Sequence, residues 1–298
     1  MNIIRKIFRF SSKYTSSNKG LTLVELMVVM GLATIVLAVI YAAYNTQSRM
    51  NRKETAIVNM QQNIRGSLYL IEKEIRMAGY DPEASGKFGI KDIKFKDIDG
   101  SDNVNGYSSI TFTADNGAED TSTTPPTPHA MNGQLDSNET YTYRIYNYTA
   151  GSPAGILDLG RKVGGGGITI VAEGIDAIGF AYAYDNDGDG QLDVSSGGGN
   201  VLWAIDTDNN NKLDSILDTT DNGVIDIYDD EAGTTLPSEI DLDKIRAIRV
   251  WILARTKTTL LDYNDSHTYV VANRRITPND NYKRELLETI IKCRNLGF

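Results

Sequence analysis

Histidine and cysteine are almost missing from this 298-residue chain, which has two of the first and one of the second. Cys293 has no partner for an intrachain disulfide, so the fold must be tied by other means. Lying in a strand pattern beside Ile291, Cys293 reads as a small core residue. His129 sits in a proline-rich loop and His267 in a polar turn, neither with metal-ligand spacing, and no serine or cysteine occupies a nucleophile motif. The glycine runs at 164–167 and 197–199 lack the Lys-Ser/Thr of a phosphate cradle and read as flexible connectors. These absences leave no enzyme class standing. Basic charge is also scarce, with 30 Lys and Arg against 39 Asp and Glu, a formal charge of −9. Five of those bases fall in the first twenty residues, so the rest carries 30 − 5 = 25 bases against 39 acids, or −14. Such a chain repels nucleic acid; its one modest basic group, Arg274, Arg275, Lys283 and Arg284, reads as a solvated strand end. The N-x-S/T sequons at Asn138, Asn147 and Asn264 are of a kind that recurs by chance and decide nothing.

Charge is absent altogether from residues 26–48. At about 1.5 Å per residue that run is long enough to cross a hydrocarbon core of roughly 30 Å as a helix. The twenty residues before it hold Arg5, Lys6, Arg9, Lys13 and Lys19 and no acid, so the leader stays cytoplasmic and everything past Tyr44 faces outward. A secretory signal puts its small-residue cleavage site after the apolar stretch. Here Gly20 precedes it, and cleavage there would leave the stretch in the mature protein. One acid, Glu25, stands near the start of the segment.

Ile57, Met60, Ile64, Leu68, Ile71 and Ile75 recur at intervals of three and four, one apolar stripe of a continuing helix. Gly79 followed by Tyr80, Asp81 and Pro82 supplies the stop, because glycine accepts a left-handed cap and proline cannot continue the ladder. A helix over 21–78 would be about 87 Å long. A coiled coil competes with this reading, but the stripe drifts at a 3.6 period and lacks sustained heptads with charged flanks.

Residues 79–298 carry strand signals in place of long helical stripes, at 109–114, 141–148, 168–172, 175–184, 245–255, 269–272 and 286–294. Ile248, Val250, Ile252 and Ala254 alternate with Arg249, Trp251, Leu253 and Arg255, as expected of a half-buried strand. Together these predict an antiparallel sheet packed on the upper part of the helix. Residues 116–138, with Pro125, Pro126 and Pro128, read as an exposed loop.

Three acidic loops interrupt the sheet, D-N-D-G-D-G-Q-L-D at 185–193, D-T-D-N-N-N-K-L-D at 206–214 and D-T-T-D-N-G-V-I-D at 218–226. Oxygen-bearing side chains recur at positions one, three, five and nine around a turn-permissive sixth residue, the way a hard cation such as calcium gathers ligands. The first loop offers Asp185, Asp187, Asp189 and Asp193 with the Gln191 carbonyl, and the second Asp206, Asp208, Asn210 and Asp214 with that of Lys212. The third offers Asp218, Thr220, Asn222 and Asp226 with that of Val224. Position twelve, a glutamate in an EF-hand, is Ser196, Leu217 or Asp229, and no helix pair flanks any loop, so these are not EF-hands. Solvated Asp/Asn/Gly turns are the competing reading of any one loop. Three in tandem would suffer mutual repulsion without a cation, which favours at least one calcium site, the first loop foremost.

The stretch Gly20, Leu21, Thr22, Leu23, Val24, Glu25 before an apolar helix resembles the processing site of type IV pilins and pseudopilins. That resemblance implies cleavage after Gly20 by a prepilin peptidase and N-methylation of Leu21, where Phe is usual. It also implies a retained Glu25 that pairs with the N-terminal ammonium of an adjacent subunit. A carboxylate in a membrane costs about 2.5 to 3.5 kcal/mol and needs such a partner; the plainer alternative is a signal anchor with one tolerated acid. Ala42 stands where many family members carry a kinking proline, which implies a straighter stem. The M-A-G-Y-D-P segment at 77–82, with 246–255, Tyr269, 274–279 and 284–296, is similar to PilW-like minor pilins.

The resemblance implies an α+β, type IV pilin-like fold with a leader at 1–20, a helical stem at 21–78 whose first part to 44 crosses the membrane or enters the filament core, and a β-rich extracytoplasmic head at 79–298. It further implies a minor pilin that initiates, primes or caps a type IV pilus serving motility or adhesion, with other minor and major pilins, the prepilin peptidase, the inner-membrane assembly machinery and a tip adhesin as partners. Such a subunit resides in the inner membrane and then in the cell-surface pilus, with no nucleic acid as partner, and calcium would replace the disulfide that staples major pilins. Two alternatives stay open: a large minor pseudopilin of a type II secretion system, and a membrane-anchored calcium-dependent binding module or adhesin. A lone anchor has no use for Glu25, which argues against the second of these.

Overall fold

The computed structural model describes residues 20–95, 108–117, 131–146 and 157–297. The leader bases, Pro125, Pro126, Pro128, His129 and Asn147 lie outside these described residues. One helix, α1 (Leu23–Ile75), joins two compact units that divide between Arg52 and Lys53. In the first unit every side chain from Leu23 to Tyr44 is exposed, and the segment is long and apolar enough to cross a membrane.

In the second unit Met60, Ile64, Ile71 and Ile75 are buried along the expected stripe, with Ile57 and Leu68 half-buried beside them. The helix stops three residues short of Ala78. Met77 and Ala78 bond back three residues to Glu74 and Ile75, tightening the last turn, and Gly79 follows at φ 76°.

The sheets are antiparallel, and there are two large ones where one was expected. The first is a meander of β1 (Gly89–Lys94), β2 (Ser109–Thr113), β3 (Thr140–Tyr146), β4 (Asp158–Val163) and β5 (Ile168–Glu173), paired in that order. The second contains β6 (Ile175–Tyr184), β7 (Ala204–Ile205), β8 (Lys212–Ile216), β9 (Thr234–Asp241) and β10 (Ile245–Arg255). A hairpin of β11 (Tyr269–Val271) and β12 (Arg274–Ile276) leads to β13 (Arg284–Lys292), and the second sheet runs β13-β10-β6-β7-β8-β9.

The main core joins Ile64, Ile71 and Ile75 of α1 to Ile110, Phe112 and Tyr143 of the first sheet and to Phe180, Tyr182, Val250 and Ile252 of the second. Strand β10 departs from the half-buried expectation, since its other face is also covered. Trp251 and Leu253 pack there with Trp203, Leu217, Val271 and Ala272, and Arg249 lies over both tryptophan rings while bonding Glu288. Gly179 makes this second layer possible, because a Cβ there would come within 2.9 Å of Val271 and 3.1 Å of Ala272 in the overlying hairpin.

The two segments that carry the PilW resemblance, more than two hundred residues apart, meet in space. Asn295 donates its side-chain amide to the Arg76 carbonyl at 3.1 Å, and a Cβ on Gly79 would collide with Leu296. Cys293 is fully buried in the core just past β13, as expected.

Candidate functional site

The start of α1 is built by a reciprocal pair. The Thr22 N–H and hydroxyl donate to Glu25 Oε2 at 2.9 and 3.0 Å, and the Glu25 N–H donates to Thr22 Oγ1 at 3.2 Å. This is a capping box, which satisfies amides that the first helical turn leaves without partners. The T-x-x-E spacing that announces it, Thr22 to Glu25, stands in the sequence. Glu25 therefore has an intrachain task, carried by one of its two carboxylate oxygens. Leu21 is exposed and Gly20 has open space around it, so the expected cleavage point is accessible.

The three acidic loops share one backbone. Position six has positive φ in each (Gly190 81°, Asn211 66°, Gly223 84°), and so does position four (Gly188 78°, Asn209 60°, Asp221 55°). The position-six N–H donates to the position-one carboxylate in all three, to Asp185 at 3.1 Å, Asp206 at 2.7 Å and Asp218 at 2.7 Å. Asp193 and Asp214 at position nine accept the N–H of position two, from Asn186 and Thr207.

Loops one and two gather carboxylates. Oxygens of Asp185, Asp187 and Asp193 lie within 4.8 Å of one another, as do those of Asp206, Asp208 and Asp214. Asp189 is not part of the first cluster; its Oδ1 instead accepts the Gln191 N–H at 2.7 Å. Asn210 turns its side-chain NH2 toward Asp208 and Glu239.

Burial, and then the shared bond with Asp208, push the Asp206 carboxyl up to about 6. Burial, reinforced by Asp187, Asp185 and Asp189, raises Asp193 against the bond it accepts from Asn186. Burial also works against the charge of Asp185, but the N–H groups of Gly188 and Gly190, with Arg246, hold it below the ordinary range. Asp214 Oδ1 is buried without a hydrogen-bond partner. The donor set of the second loop thus fits a hard cation, which would neutralise clustered charge and engage that orphaned oxygen.

The third loop differs from the first two in how it closes. The N–H of position two, which position nine accepts in the first two loops, goes here not to Asp226 but to Asp229 at position twelve. Its carboxylate accepts the N–H groups of Thr219, Thr220 and Asp226 at 2.8, 3.1 and 2.9 Å. Asp229 is buried, and its spacing differs from that of the first two loops, which hid it from a search for repeats. Asp221 in the same loop holds the Ser195 hydroxyl at 2.5 Å and the Gly198 N–H at 2.7 Å, so the glycine run expected to be a flexible connector is pinned.

The basic residues read as a solvated strand end are spent internally. Arg274 bonds the Ile178 carbonyl and Arg275 the Asp229 carbonyl. Arg284 is clamped by Asp176 at 2.6 Å and Asp280 at 2.6 Å, and Lys283 lies over the Tyr263 ring.

Residues 199–295 match the family described as Type IV Pilus-assembly protein W, and residues 15–41 match the prokaryotic N-terminal methylation motif. Over these two segments the chain is similar to PilW-type minor pilins. Among solved structures, a type IV-like pilin from Thermus thermophilus is similar at 14% identity and a TM-score of 0.38, covering 80% of this chain and 98% of its own. No curated protein matches the chain. The PilW match takes in acidic loops two and three, β10, the β11–β12 hairpin, β13 and Asn295, which bonds Arg76; the methylation motif takes in the processing site and the apolar start of α1.

Proposed function

We propose that this chain is a PilW-type minor pilin, held in the inner membrane with its leader cytoplasmic and its head outside, cut after Gly20, and entering a type IV pilus at initiation, as a primer or cap. The observation that carries this reading is the pairing of an accessible Gly20–Leu21 junction with an apolar helical segment from Leu23 to Tyr44 that the chain itself leaves fully exposed. Such a segment is stable only in lipid or among like helices. Glu25 Oε2 caps its own helix, leaving the other carboxylate oxygen for the N-terminal ammonium of an adjacent subunit. Major and minor pilins bundle their stems with it, the prepilin peptidase processes it, and the inner-membrane machinery extracts it.

The head carries calcium in loops one and two. Asp185, Asp187 and Asp193 hold one ion and Asp206, Asp208 and Asp214 the other, stiffening the surface offered to neighbouring pilins or to a tip adhesin. In a chain with a single cysteine, these ions take the place of a disulfide staple.

Intact-mass and N-terminal analysis of the protein from its native membrane, with and without the peptidase, tests the reading. A peptidase-dependent chain starting at N-methylated Leu21 is expected. An unprocessed Met1 terminus, or a cut beyond Tyr44, overturns it.

A further inference from the structure

The second acidic loop has contacts that its carboxylates do not explain. Asn211 Oδ1 accepts the Ile93 N–H at 3.1 Å, and Asn209 Oδ1 accepts the Phe95 N–H at 3.1 Å. Both amides belong to the outer side of β1 and the residue that follows it. β1 is an edge strand of the five-stranded sheet, whereas the loop joins β7 to β8 in the six-stranded one. Ile93 is only 1% exposed, so its N–H has little water to turn to and requires a protein acceptor.

Asn209 and Asn211 occupy loop positions four and six, both at positive φ, where glycine is the least strained choice and the first loop uses it twice. Asparagine tolerates that backbone and adds an acceptor. The third loop repeats the device with Asp221 at position four, which fastens Ser195, Gly198 and Asn200. In the second loop, side chains at positions one and nine close the loop on itself, and those at four and six reach out to a neighbour.

We infer that the loop at 206–214 is a clasp, whose outward side chains Asn209 and Asn211 tie edge strand β1 to the six-stranded sheet, so that opening the loop releases β1. The two sheets share a core, but this is a polar fastening at the edge, and it is local enough to open without unfolding either sheet.

Residue-resolved amide exchange on the full chain in detergent micelles tests the clasp. Replacing both residues with glycine (N209G with N211G) keeps the backbone conformation and removes both acceptors. Exchange at Ile93 and Phe95 is expected to rise roughly tenfold, in line with the loss of one hydrogen bond each, with Ile110 and Tyr143 in β2 and β3 unchanged. The N209D with N211D variant retains an acceptor oxygen at each site and should protect like the parent. Should the double glycine variant fail to fold, N209G alone should release only Phe95, and N211G alone only Ile93. Unchanged exchange at both amides, or an equal rise at Ile110 and Tyr143, overturns the inference.

Discussion

Gly79 combines a left-handed backbone with a close contact to Leu296, two demands that only glycine meets together. Gly79→Ala is expected to lower stability by about 2 kcal/mol or more, read as a fall in thermal midpoint in micelles, because the methyl group must displace Leu296 and alanine is strained at that φ. Thr22→Val removes half of the capping box and should cost about 1 kcal/mol at the start of α1, seen as faster exchange of the Val24 and Glu25 amides. Cys293 offers a cleaner readout. Burial pushes its thiol up to about 12, so between pH 7 and 9 the group stays protonated and should resist maleimide until the head unfolds. Labelling of the native protein at the rate of a free thiol would contradict that burial. The sequence disclosed Cys293 as a core residue from its strand neighbours alone. It disclosed Glu25 as an acid needing a partner, and the nearest partner, Thr22, stands three residues away in the same turn.

At the scale of elements, β6 and β10 were legible to the residue, since long apolar runs bounded by polar turns leave little choice of register. Strands β1, β4, β8 and β9 were not. β1 and β9 are edges with polar sequences, β9 contains Pro237, and β8 begins inside the second acidic loop at Lys212. Such strands are defined by the neighbour they pair with more than by their own composition. The second covering of β10 was hidden for a related reason. Alternation showed two faces, and nothing local told that a hairpin would lie on the charged-looking one. The loops were found by their repeat, but geometry distinguishes them. Calcium titration of the full chain by calorimetry should show two ions. Asp187→Ala and Asp208→Ala should each remove one, whereas Asp218→Ala should leave both, because the third loop is closed by Asp229. Loss of an ion with Asp218→Ala would place a third site there.

For the molecule as a whole, calcium that binds only the folded head stabilises it by mass action, by about 2.7 kcal/mol at a hundredfold excess over Kd. The thermal midpoint should accordingly rise with calcium and fall with a chelator, and a midpoint indifferent to both would remove the ions from the account. The α+β architecture was readable from the stripe on α1 and the strand-rich remainder. The presence of two sheets was not, because strand counts do not say where a meander ends and the next sheet begins.

The contact of Asn295 and Leu296 with Arg76 and Gly79 also has a bearing on time. A chain threaded outward from its N-terminus delivers α1 first and β13 last. Until β13 pairs with β10, the inner strands and the buried stripe of α1 wait uncovered, since closures between such distant segments are slow to form. On the proposed topology, export and folding are therefore out of step in this chain. Its period of greatest exposure to proteases is the interval between the arrival of the stem and the arrival of residue 296.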